Sequence, residues 1–211
     1  MIVYMLEQRF ASGSAIDLQK MPILAKTKII FSDEAHFDLG GYVNKLNCRI
    51  WGTENPLAYI ENPKRITVWC GFWSRGITAL FFFENVQGEA VTVNGDRYRA
   101  MLKEFLFTKI EGEDIGKIWF QQDGATCHTT EATLDVLRRI SEDRNISRRA
   151  DVVSWSCDVT PLDYYLWGAV KYKCVADKPA TIDGSKYNIR KAIGEIQLHT
   201  MIMCLKIELI V

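Results

Sequence analysis

The chain has 211 residues, with 48% hydrophobic and 25% charged, a balance that supports one well-buried domain and leaves little room for a second. Its 26 Lys and Arg are matched by 26 Asp and Glu, which argues against a strongly basic stand-alone nucleic-acid binder. No uninterrupted apolar run approaches the roughly 18 residues of a membrane span, and residues 1–9 lack the basic start and apolar core of a secretory signal, so an intracellular protein is expected.

Residues 1–27 carry little pattern, with a Ser12-Gly13-Ser14 break and Pro22, and read as a loosely attached leader. From Lys28 a short apolar strand, Ile29-Ile30-Phe31, runs into Asp33 and Glu34, followed by His36. Gly40-Gly41 and the strand formers up to Trp51 suggest a hairpin between Leu39 and Trp51. After turn signals at Asn55-Pro56 and Asn62-Pro63, the runs Ile66–Trp73 and Ile77–Phe83 flank Ser74-Arg75-Gly76. They predict an antiparallel pair covered on both faces. Tyr98, Met101, Leu102, Phe105 and Leu106 have helical spacing and predict a helix with a core-facing stripe.

The second apolar strand, Ile118–Phe120, delivers Asp123 to a Gly-bearing loop, and Thr129, Thr130 and Glu131 then open a helix predicted to run through Ile140. Arg138, Arg139, Arg144, Arg148 and Arg149 form a loose basic region, read as a solvated face or, more sharply, as a contact for a DNA backbone. Thr160-Pro161-Leu162-Asp163 opens a further helix, and a last one is predicted from about Gly184 to beyond Ile196. The apolar end at 198–211 reads as a divergent tail, leaving 28–197 as the domain proper. The six cysteines, Cys48, Cys70, Cys127, Cys157, Cys174 and Cys204, lack paired close spacing and are expected to be buried free thiols.

Antiparallel strands followed by alternating helices and a strand predict an α/β fold with a mixed sheet flanked by helices. If the Asp33 and Asp123 strands are neighbours, their carboxylates can face one hard cation, with a third acid supplied by a helix crossing the strand ends. Mg²⁺ prefers such oxygens, and two ions can support an in-line phosphoryl displacement.

Four ordered motifs then carry a resemblance: Phe31-Ser32-Asp33-Glu34-Ala35-His36-Phe37, Asn47-Cys48-Arg49-Ile50-Trp51-Gly52, Phe120-Gln121-Gln122-Asp123-Gly124-Ala125 with His128, and Asp158 through Gly168. Together they resemble the catalytic domain of mariner-type DNA transposases over roughly 28–196. The resemblance implies a ribonuclease-H-like fold and a cut-and-paste reaction, DNA cleavage followed by integration, with two Mg²⁺ or Mn²⁺ ions held by Asp33, Asp123 and Asp163. Asp158 is the alternative third acid. Thr160-Pro161-Leu162-Asp163 also fits a helix cap, and both roles can hold at once. Glu34 and His128 are candidates for contacts that support the ligands, and His36 for a packed structural role. DNA is the implied partner, a homodimer the implied assembly and the nucleus the implied location. Members of that family carry helix-turn-helix modules ahead of this domain, and residues 1–27 show none, so weak and sequence-indifferent DNA binding is expected. The alternative is a catalytically inactive remnant that folds and at most binds nucleic acid weakly.

Overall fold

The computed structural model describes residues 28–39, 64–113, 118–141, 144–147, 153–154, 160, 162–177 and 179–196. The expected leader at 1–27, the hairpin beyond Leu39, the tail at 198–211 and Asp158 lie outside the described residues.

Strand β1 (Ile29–Asp38) is the spine of a six-stranded sheet. It pairs antiparallel with β2 (Arg65–Trp73), which pairs antiparallel with β3 (Gly76–Phe82). On its other side β1 pairs parallel with β4 (Trp119–Gln121), followed by β5 (Asn145–Ser147) and β6 (Val153–Ser154), also parallel. The order β3-β2-β1-β4-β5-β6 gives the mixed sheet expected from the sequence. Strands β5 and β6 are additions. Asn145-Ile146-Ser147 has one apolar residue and lies among arginines, yet all three positions are buried because a parallel strand is covered on both faces.

The β2–β3 turn sets Trp73 opposite Gly76, which takes a φ of 115° that side-chain-bearing residues rarely adopt. At Gly71, beside a register shift, an added Cβ would stand 2.8 Å from the Trp69 ring. Glycine there lets a fully buried indole lie across its own strand.

Helices cover both faces. Helix α1 starts at Gly95–Ala100, passes through a π-helical stretch, Met101–Leu106, and ends at Phe107–Lys109. The side chain of Asn94 caps it by accepting from the Arg97 N–H at 2.9 Å. Helix α2 (Glu131–Ser141) joins it, and Tyr98, Met101, Leu102, Leu106, Val136 and Leu137 pack with Ile30, Trp69 and Phe120 on one face of the sheet. On the opposite face a π-helical turn, Leu162–Leu166, leads into α3 (Trp167–Asp177), followed by α4 (Ile182–Gly194). Leu162, Leu166, Trp167, Val170 and Ile189 pack there against Phe31, Ala35, Phe37 and Val68.

Helix α4 begins two residues before the expected Gly184 and ends before Ile196. Thr181 caps its start by accepting from the Gly184 N–H at 3.1 Å. Buried Lys186 ties the helix to the turn after β3 by pairing with Glu84 and donating to the Gly88 carbonyl at 3.4 Å. Among the described residues no helix is long and apolar enough to cross a membrane. The described cysteines are free, with Cys70 and Cys174 buried and Cys127 half-buried.

Leu102 is fully buried between α1 and the sheet, so Leu102→Ala should cost about 3 kcal/mol. Asn94→Ala, which removes only a cap, should cost about 1 kcal/mol. Denaturant midpoints of the two variants at unchanged slope test this ordering.

Candidate active site

Side chains alternate across β1, so neighbouring acids point to opposite faces of the sheet. Phe31, Ala35 and Phe37 belong to the face covered by α3 and α4, and Asp33 shares their phase. Glu34 shares the phase of Ile30, which packs beneath α1 and α2.

Asp33 is 8% exposed. Its Oδ2 accepts from the Trp167 indole Nε1–H at 2.8 Å, and the Trp167 ring stands edge-on to Phe37 with centroids 6.2 Å apart. The indole is thus held from both sides. One turn earlier lies Asp163, exposed at the start of the π-helical turn. Its Oδ2 accepts from the Thr160 N–H at 2.8 Å and from the Thr160 hydroxyl at 3.2 Å, while Thr160 Oγ1 accepts from the Leu162 N–H at 3.2 Å. This is a reciprocal helix cap. The carboxyl of Asp163 also interacts with that of Asp33. Burial, then the charges of Asp163 and Glu34, push Asp33 up to about 8, with the Trp167 hydrogen bond pulling the other way.

Asp123 follows β4. The β1–β4 register pairs Phe31 with Gln121, the last residue of β4, so Asp123 lies two residues past the strand end. The Oδ1 of Asp123 accepts from the Ala125 N–H at 2.9 Å and is paired with His128 Nδ1. Burial works against its charge, but the hydrogen bond and charge of His128 and the Ala125 N–H hold the carboxyl below the usual range.

His128 is 2% exposed and lies over the Tyr98 ring, with centroids 4.1 Å apart. The Tyr98 hydroxyl donates to Gln122 Oε1 at 3.0 Å, and Gln122 Nε2 donates to the His128 carbonyl at 2.8 Å. Its Nε2 faces Glu34 Oε1 at 3.3 Å. Burial disfavours the imidazolium, yet Tyr98, Asp123, Cys127 and Glu34 outweigh it and raise the histidine above its ordinary value.

The structure therefore brings Asp33 and Asp163 together, with Asp123 at the end of the adjacent strand. Glu34 is half-buried against His128 on the other face. His36 departs from its expected packed role: it is exposed and sits 3.0 Å from Thr67 Oγ1. Arg138 pairs with Glu131 and Asp135 on its own helix, Arg139 is exposed, and Arg148 and Arg149 lie outside the described residues. Sequence reasoning overlooked Trp167 as a donor, although its place four residues after Asp163 was a usable signal. Tyr98 and Gln122 lie 24 residues apart, and no local pattern could have joined them.

A mixed sheet with this strand order, helices on both faces, one acid on the central strand and another just past the end of its parallel neighbour is a ribonuclease-H-like fold. Solved structures with which it shares that fold are of the Mos1 mariner transposase. The catalytic domain of that enzyme aligns with a TM-score of 0.61 at 16% identity, covering 86% of this chain and 76% of that one. The pre-cleavage Mos1 transpososome gives 0.64 at 16% identity over 86% of this chain, and the Mos1 catalytic domain with raltegravir and Mg gives 0.58 at 15% identity over 86%. The chain spans 52% of the length of the protein in the transpososome. No protein-family model and no curated protein matches the sequence.

Because Asp33 titrates near 8 when folded and near 3.8 otherwise, the fold gains stability from its proton. That gain is whole below pH 4 and is lost as pH rises through 8. Asp33→Asn should therefore stabilise the protein at pH 8 by on the order of 5 kcal/mol and leave it nearly unchanged at pH 4. Denaturant titrations of both proteins at the two pH values measure the difference.

Proposed function

We propose that the chain is a mariner-type transposase catalytic domain, acting on DNA by metal-dependent strand cleavage and transfer. The observation that carries this reading is the meeting of Asp33 and Asp163, with Asp123 at the end of the adjacent strand, on a fold shared with the Mos1 catalytic domain.

A buried carboxyl that faces a second carboxylate resists ionising, as the raised value of Asp33 reflects. A cation between the two removes that conflict, so the Asp33–Asp163 pair fits Mg²⁺ or Mn²⁺, and Asp123, just past the end of the adjacent strand, is the third acid the reading assigns. Two such ions, when bound, supply activation of an attacking water or hydroxyl and charge stabilisation at the leaving oxygen. The protein's own part is placement. Trp167 fixes one oxygen of Asp33, and the Thr160 cap fixes Oδ2 of Asp163, so both acids aim their remaining lone pairs without needing to reorganise. The Ala125 N–H and His128 do the same for Oδ1 of Asp123. By the same reading the partner is DNA, the working assembly a homodimer and the location the nucleus.

A catalytically silent domain is the second reading. The observation on its side is that Asp33 carries a proton near neutral pH, a state in which it is a poor ligand.

The test is a cleavage assay on labelled duplexes, with and without mariner-end sequences. We expect Mg²⁺- or Mn²⁺-dependent nicking that ignores sequence and falls to background in Asp33→Asn, with binding that weakens steeply between low and physiological salt. Nicking that persists in Asp33→Asn, or in chelator, would sink the catalytic assignment. Duplex binding with no nicking under either ion would favour the silent domain.

A further inference from the structure

We infer that Glu34 and His128 form a second cation site, suited to a borderline transition ion such as Zn²⁺ and separate from the Asp33–Asp163 pair. One ligand atom each from Glu34, Asp123 and His128 lies within 4.8 Å of the others. The nitrogen and oxygen that face each other, His128 Nε2 and Glu34 Oε1, are both buried and lack a hydrogen bond. They stand 3.3 Å apart. Their contact is this ion pair, which lacks hydrogen-bond alignment and so leaves both atoms open to a better partner.

The supporting contacts match that need. Asp123 holds Nδ1, so an ion that displaces the Nε2 proton binds at Nε2; a carboxylate behind the ring is the usual way in which a ligating histidine is oriented. Tyr98 packs on the ring and Gln122 holds the His128 backbone, so the imidazole cannot swing away. Glu34 and His128 also line a cavity of about 570 Å³ with Cys127, His36, Arg65 and Thr67. It gives an ion a path in and room for water or a further ligand. An imidazole with one carboxylate favours Zn²⁺ over Mg²⁺, which prefers oxygen alone. Glu34 and Asp33 point to opposite faces of the sheet, so the backbone of β1 divides these two acids, while Asp123 borders both sites.

The site goes beyond the transposase reading and is tested without it, by calorimetric titration of Zn²⁺ into the full chain. Because Zn²⁺ can also enter the Asp33–Asp163 pair, the titration is run in an Asp163→Asn background, where Glu34→Gln keeps the side-chain volume and should weaken the remaining binding at least tenfold. In the wild-type protein, ¹⁵N spectra should show Zn²⁺ moving the His128 Nε2 resonance, a readout that does not depend on any variant folding. The proposal is overturned if that resonance stays in place, or if Glu34→Gln in the Asp163→Asn background binds as tightly as its parent.

Discussion

Everything at the site depends on a carboxylate being kept inside the sheet. Asp33 sits near the middle of the central strand, among Phe31, Ala35 and Phe37, where a charge loses most of its hydration. Two contacts make that position tenable: the indole N–H of Trp167, and a proton that the site retains to about pH 8. The first depends on α3 lying across the sheet at one particular height. Packing of Trp167 on Phe37 and of Leu162, Leu166 and Val170 on the same face sets that height, so the hydrophobic face and the polar site are one construction.

The same strand separates two electrostatic environments by a single residue. On the α3 side, like charges face each other and the acid resists ionising. Across the sheet, His128 lies between Asp123 and Glu34, and Asp123 is held in its charged form. Tyr98 and Gln122 keep that histidine fixed, which makes the Asp123 loop stiffer than its glycine would suggest. A cation entering on the α3 side would meet one carboxylate that must lose a proton and, in Asp163, another oriented by the Thr160 cap.

Much of this was legible in the chain. The β2–β3 pair, the stripe on α1 and the Asp123 strand followed by α2 declare themselves through apolar spacing that one or two turns of sequence suffice to read. The start of α3 was also readable, because Thr160 and Asp163 cap it through contacts three residues apart. Strand β5 was not. Its three residues look polar and arginine-flanked, and they form a strand only because β4 offers a free edge to pair with. The π-helical stretches in α1 and before α3 leave no comparable mark.

By itself the sequence determined which acids are available, that strands deliver two of them and a helix start the third, and that the sheet is covered on both faces. These are properties of local periodicity, capping and order along the chain. Only the tertiary structure decided which groups meet: Trp167 with Asp33 across 134 residues, and Tyr98 with Gln122 and His128. The reason is physical. Such contacts are set by the register of parallel strands and the docking of helices on them, and neither quantity is written in any short window of sequence.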